Sequence, residues 1–329
     1  MKIFTLLIII AAVATTQSVV AQDERTMLAV FWNLENFFDY IDGGNGESDK
    51  EFSSYGSRHW TKKRFHTKCD AVAKSFLWIT DRYGHMPDVI ALAEIENRGV
   101  LNKLLNATLL RKYDYSIIHF DSGDRRGIDC AILYRRSSFE LLNTTLKTPE
   151  YGGKVLSTRD ILHAKFLSQR GKSFDVIVNH HPSKYGGARE SEGRRAAAMN
   201  TLKELCDSLL VSTRSDGIIA MGDFNDTPDS QPFDIIETTL VNKGISLYEK
   251  GEGSIRFEGK WDLIDMFLVS PEIDDITRMD VCRIPFLMVR DSGHPGEKPL
   301  RTYSGPRYIG GVSDHCPIIL DMAVPNPLR

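Results

Sequence analysis

The stretch GIIAMGDFN, residues 217–225, decides the fold. Five apolar or small residues run as a buried strand would, and the run then breaks into Gly-Asp-Phe-Asn, where an acid and an amide end what began as core. Burying an unpaired carboxylate costs several kcal/mol, so an acid there needs a partner or a ligand. Taken alone, Gly222–Asn225 is equally an Asx-type turn after a strand.

Moving outward, the same pattern recurs. Strand-like runs lie at 28–36, 88–96, 113–120, 129–136, 161–167, 174–181, 263–270 and 315–322. Five of these also carry polar groups where a core strand should not: Asn33-Leu34-Glu35-Asn36, Glu94-Ile95-Glu96-Asn97, Asn179-His180, Asp265 and Asp314-His315. Each has a plain reading as a cap or turn residue. Asp265 is the hardest to dismiss, because Leu263-Ile264 and Met266-Phe267 flank it, and His315 is its obvious partner. Strand ends are where open α/β sheets build their sites. The set is rich in oxygen, holds histidine and has no thiolate, which suits a hard Mg²⁺, with Mn²⁺ or Ca²⁺ as alternatives.

Between the strands, Phe65, Cys69, Val72, Phe76 and Ile79 recur at helical spacing within 60–84, as do Ala198, Leu202, Leu205 and Leu209 within 189–211. Shorter helices are expected over 99–111 and 232–240. The Gly-rich stretches 41–57 and 291–308 read as loops that shape a substrate mouth or face solvent. Many strands with interposed helices imply α/β layers in one catalytic domain over 22–329.

Composition sets limits. Apolar residues at 42% and charged residues at 26% are ordinary for a globular protein. A formal charge of −3 gives no global pull on a polyanion, so any such binding must be local. The candidates are the basic runs Arg58–Arg64 and Lys184, Arg189, Arg194 and Arg195, which also suit solvated helix faces. Trp60 reads as a packing residue. Cys130 and Cys316 read as buried small hydrophobes among five scattered cysteines; the odd count leaves at least one unpaired, and no disulfide pairing is assigned. Residues 1–21 read as a signal peptide: Lys2, an apolar run over Ile3–Ala14 and Ala21 before Gln22. The run is well short of the roughly 20 apolar residues that span a bilayer. The expectation is therefore an exported chain, periplasmic or secreted, monomeric and not membrane-inserted after cleavage.

In order and spacing, W-N-L-E-N at 32–36, I-A-L-A-E at 90–94, N-H-H-P-S at 179–183, G-D-F-N-D at 222–226, W-D-L-I-D at 261–265 and S-D-H at 313–315 resemble the endonuclease/exonuclease/phosphatase superfamily. The resemblance implies a four-layer α/β/β/α sandwich of two packed mixed sheets with outer helices, and a metal-dependent phosphoesterase. It also implies metal ligation by Asn33, Glu94 and Asp314. Asp223 and Asn225 would orient water and phosphate, Asp265 would hold His315, and His180 would donate to the phosphate or leaving oxygen. The expected substrate is a phosphate ester, nucleic acid first, with a lipid head group or phosphomonoester as the alternative. Since strand side chains alternate, only one of His180 and His181 faces the site, and the H-x-x-S spacing selects His180. Glu35 stands where some relatives carry a second metal-site acid; Asp129, in Arg126-Gly127-Ile128-Asp129, touches the site or makes a turn.

Overall fold

The computed structural model describes residues 26–323 apart from 45, 185, 213 and 214. The expected leader, residues 1–21, lies outside the described residues.

Twelve strands form two six-stranded sheets. The first contains β1 (Thr26–Phe37), β2 (Val89–Ile95), β3 (Tyr115–His119), β4 (Asp129–Arg135), β11 (Thr277–Val281) and β12 (Ile318–Ala323), in the order β11-β12-β1-β2-β4-β3. The second contains β5 (Phe139–Lys147), β6 (Ile161–Ser168), β7 (Ser173–His180), β8 (Gly217–Asp223), β9 (Val241–Asn242) and β10 (Asp265–Val269), in the order β9-β10-β8-β7-β6-β5. Both sheets are mixed: β1 pairs parallel with β2 and β7 parallel with β8, while β12 and β10 close antiparallel on β1 and β8.

Period-two alternation sorts the side chains into layers. On β1, Ala29 and Phe31 belong to the core shared with the second sheet, whereas Leu28, Val30, Trp32 and Leu34 belong to the core beneath the outer helices. β2 and β4 divide in the same way, Ala91 and Ile132 inward, Leu92 and Leu133 outward. Helices α1 (Lys62–Tyr83) and α2 (Arg98–Ala107) cover the first sheet through Phe65, Val72, Phe76, Leu101 and Leu104. Helix α3 (Ala188–Ser212) covers the second through Leu202, Leu205 and Leu209. Each such side chain stabilises the fold by roughly 1.5–3 kcal/mol on full burial. The result is the helix–sheet–sheet–helix sandwich.

Local chemistry sets the helix ends. Thr61 accepts from Arg64 N at the start of α1, and Gly84 (φ 85°) closes it in the left-handed conformation glycine tolerates. Asn97 accepts from Val100 N and so caps α2. Two expectations are corrected. The helix over 99–111 stops at Ala107, where the Thr108 hydroxyl donates to Leu104 O and accepts from Leu110 N to start a 3₁₀ turn. Over 232–240 only the 3₁₀ turn Gln231–Ile235 forms; β-branched Ile235, Ile236, Thr238 and Thr239 disfavour continuation. The stretch 291–308 holds one short hairpin and the second strand of another that starts at Met288, and it packs against 41–57 through the edge-on rings of Tyr303 and Phe52, with centroids 6.1 Å apart. All five cysteines are buried and free. Cys316 precedes β12 instead of lying within it. Among the described residues no helix is long and apolar enough to cross a membrane.

One buried polar pair holds the second sheet. His163 Nε2 on β6 lies 2.8 Å from Asp175 Oδ1 on β7, both inaccessible. Burial disfavours the Asp175 carboxylate, but hydrogen bonds from His163 and Ser215 outweigh it and hold the carboxyl below its ordinary value. Such a depressed group stabilises the fold at pH above its unfolded pKa, near 4, and loses that contribution as pH falls through the folded value. Asp175→Ala is therefore expected to cost about 3–5 kcal/mol in urea unfolding at pH 7, with a smaller deficit at pH 3; an equal deficit at both pH values contradicts this.

Candidate active site

The strands that end in polar residues end together. Asn33 Nδ2 on β1 donates to Asp223 Oδ2 on β8 at 3.0 Å, crossing from one sheet to the other. Asp265, at the start of β10, holds His315 Nδ1 at 2.7 Å, which ties the second sheet to the segment leading into β12 of the first. Ser313 Oγ donates to Asn33 O at 2.6 Å and accepts from His315 N at 2.9 Å, and Trp32 Nε1 donates to His315 O. His180 Nε2 and His315 Nε2 stand 3.6 and 3.8 Å from Asp223 Oδ2. One ligand atom from each of Asp223, Asp265 and His315 lies within 4.8 Å of the others.

Backbone strain marks the same place. Among the described residues six non-glycines have positive φ, and Glu35, Asn36, Glu94 and Asn225 are four of them. Ladder irregularities between Asn33 and Phe37 and between Leu92 and Ile95 accompany the first three. Such conformations cost of order 1–3 kcal/mol each and cluster at functional sites. Gly222 has its own reason: a Cβ there would meet Asn179 O on the paired strand at 2.2 Å.

Charges around the centre are paired in a graded way. Glu94 accepts from Asn36 N at 2.7 Å and from both Arg126 Nη atoms. Burial opposes its ionisation, but Arg126 and that backbone N–H hold its carboxyl below the usual value. Glu35 binds Arg301 at 2.7–2.9 Å and Thr302 N, and Arg301 reaches Asp314 Oδ2 at 3.1 Å. Burial, with Asp314 close by, pushes Glu35 up to about 7. Lys68, wholly buried, donates to Glu35 O and Thr302 Oγ1, and burial brings it down to about 8. Burial, aided by Asp265, lifts Asp223 to about 7. The two histidines diverge. Burial and Arg159 drive His180 well below its ordinary value, whereas for His315 the desolvation is overridden by Asp265, Asp223 and Asp314, which raise it well above.

The structure brings Asn33, Glu94, Asp223, Asn225, Asp265, Asp314, His180 and His315 to one end of the sandwich. Asn225 takes Asp223 Oδ1 on its N–H and donates its amide to His181 O. His181 packs edge-on against Phe224, with ring centroids 5.0 Å apart. Other polar residues of the strand ends turn elsewhere: Asn97 caps α2, Asn179 donates to Met221 O, and Asp226 pairs with Arg195. Asp129 points to His119 and Ser122. Four cations of the basic runs are engaged within the protein, while Lys62, Lys63 and Arg189 face solvent. Arg58 pairs with Glu51, Arg64 lies over Tyr308, and Lys184 and Arg195 face Asp226. Trp60 is buried and donates to Phe38 O. Arg126, Arg301 and Lys68 had no role in the sequence reading; isolated cations in Gly- and Pro-rich loops or on a helix give no signal there.

An α/β/β/α sandwich with carboxylates, amides and two oppositely tuned histidines at one end defines a phosphoester hydrolase. The model of the Endonuclease/Exonuclease/phosphatase family matches residues 28–324, and the chain belongs to that family, whose enzymes use divalent metals. The human Nocturnin catalytic domain superposes with TM-score 0.57 at 15% identity, over 90% of this chain and 92% of its own. Caenorhabditis elegans TDP2 gives 0.57 at 15% identity, over 91% and 98%. The Bacteroides thetaiotaomicron mannosyl-6-phosphatase gives 0.55 at 17% identity, over 91% and 100%. No curated protein matches the sequence.

Ser313 links the two halves of the site, and Ser313→Ala leaves the Asn33 carbonyl and His315 N–H without it. The expected cost is about 1–3 kcal/mol by urea unfolding; wild-type stability in this variant contradicts the account.

Proposed function

We propose that the chain hydrolyses phosphodiester bonds by in-line attack of water, assisted by Mg²⁺. The observation that carries the reading is the Asp223–Asp265–His315 group, bonded across the sheets to Asn33 and bordered by Glu94 and Asp314. The oxygen donors Asn33, Glu94 and Asp314 suit a hard cation, and Glu94 is held ionised as a ligand must be. Bound there, Mg²⁺ supplies charge neutralisation at a phosphate oxygen.

The protein groups divide the rest. Asp223, with its carboxyl near 7, is matched to taking a proton from water at neutral pH. Asn225, held by Asp223 and His181 O, orients water or phosphate. His315, fixed by Asp265 and favoured as imidazolium, places positive charge against the phosphate. His180, kept neutral, donates an N–H to a phosphate or leaving oxygen.

A second reading, a phosphomonoesterase acting on a small sugar phosphate or nucleotide, is favoured by two observations. Arg58, Arg64, Lys184 and Arg195 of the basic runs are engaged within the protein, and a neighbouring cavity is lined with acids that repel an extended polyanion. D. rerio TDP2 has been seen with single-strand DNA product, and the Bacteroides protein is a mannosyl-6-phosphatase, so the fold hosts both classes. Export of a monomeric domain after loss of residues 1–21 belongs to the same proposal.

Bis-p-nitrophenyl phosphate, p-nitrophenyl phosphate, plasmid DNA and mannose 6-phosphate, assayed with Mg²⁺ and with EDTA, separate the readings. Diester turnover abolished by EDTA supports the first; turnover of monoesters alone overturns it in favour of the second. His315→Ala and Asp223→Asn are expected to lose about 10²–10⁴-fold in turnover with the fold retained, and wild-type rates in either contradict the assignment. Glu94→Gln is expected to raise the Mg²⁺ concentration giving half-maximal rate; an unchanged value removes Glu94 as a ligand.

A further inference from the structure

Strands β3 and β4 are antiparallel neighbours, and the turn between them brings Asp121 back over their ends. His119 Nε2 lies 3.4 Å from Asp129 Oδ2, and His119 Nδ1 lies 3.9 Å from Asp121 Oδ1. One ligand atom from each of the three lies within 4.8 Å of the others. The His119 side chain is 2% exposed, yet its Nε2 has no hydrogen-bond partner. A buried imidazole nitrogen left so is costly unless something else meets it. Asp129 Oδ1 is engaged by Ser122 N, which leaves Oδ2 facing the imidazole.

Asp121 and Asp129 also line a cavity of about 550 Å³ whose lining includes Asp39, Asp49 and Glu96. Asp49 Oδ1 is likewise buried without a partner. Asp39 is paired with Lys103 and burial pushes Glu96 up to about 8, so the negative charge that draws cations into the cavity rests on Asp49, Asp121 and Asp129. None of Asn33, Glu94, Asp223, Asp265, Asp314 and His315 lines it.

We propose that His119, Asp121 and Asp129 form a second divalent-metal site, separate from the catalytic centre. One imidazole and two carboxylates suit a divalent ion that takes both nitrogen and oxygen, such as Zn²⁺, with further positions open to the cavity. The site has a structural consequence. The turn it fastens carries Arg126, which pairs with Glu94, and Asp124, which pairs with Arg159 beneath His181 O. A metal here fixes the loop that supplies the guanidinium beside the catalytic carboxylate.

Equilibrium dialysis of the full chain against Zn²⁺ alone tests this. Wild-type protein and His315→Ala are expected to retain one tight equivalent that His119→Ala lacks. Asp121→Asn, whose side chain is 86% exposed and so does not endanger folding, is expected to raise the dissociation constant by about tenfold or more. Wild-type affinity in Asp121→Asn overturns the proposal even where His119→Ala fails to fold. Loss of the tight equivalent in His315→Ala with retention in His119→Ala places the ion in the catalytic centre and overturns it equally.

Discussion

Two hydrogen bonds, Asn33 to Asp223 between the sheets and Asp265 to His315 on the segment entering β12, set the terms for everything at the working end of this molecule. The middle of the sandwich needs no such links, because Phe31, Ala91, Ile132, Val176 and Ile219 fill it with apolar volume. At one end the apolar filling stops, and strands from both sheets present polar side chains into the same space. Buried groups of that kind persist only if they satisfy one another. Satisfying one another across the sheets is what fixes their relative positions to within a hydrogen-bond length.

The arrangement also fixes protonation. Two imidazoles within 4 Å of the same Asp223 oxygen are driven in opposite directions, since His180 sees burial and Arg159 while His315 sees three carboxylates. Pairs of titratable groups whose surroundings separate them in this way divide acid, base and charge-stabilising roles among themselves. Surrounding cations grade the acids similarly: Glu94, under Arg126, stays ionised, and Glu35, buried beside Asp314, sits near neutrality. The left-handed backbone at Glu35, Asn36, Glu94 and Asn225 is the conformational cost of aiming these groups inward, and the cross-sheet bonds offset it.

Much of this was legible in the chain. Strands that turn polar at one end, such as GIIAMGDFN, show both that a sheet is present and where its site lies, because apolar run and functional group are contiguous in sequence. The pairing of Asp265 with His315 was legible for the same reason: a carboxylate flanked by Leu-Ile and Met-Phe has to find a cation. Arg126, Arg301 and Lys68 were not legible, since each comes from a loop or helix whose composition is ordinary and whose meaning depends on where the fold carries it. The basic runs divide, with Lys62, Lys63 and Arg189 left facing solvent. Clustered arginines look like a phosphate track, but Arg58, Arg64 and Arg195 are used up on Glu51, Tyr308 and Asp226. The helix expected over 232–240 is only a 3₁₀ turn because β-branched Ile235, Ile236, Thr238 and Thr239 shorten it.

The most direct test is a double-mutant cycle on unfolding free energy with Asn33→Ala, Asp223→Ala and the double variant. If the strand ends are bound to each other across the sandwich, the coupling energy falls within about 0.5–3 kcal/mol. Strict additivity of the two single variants would mean that the sheets do not meet at these residues, and the site built on their meeting would have no foundation.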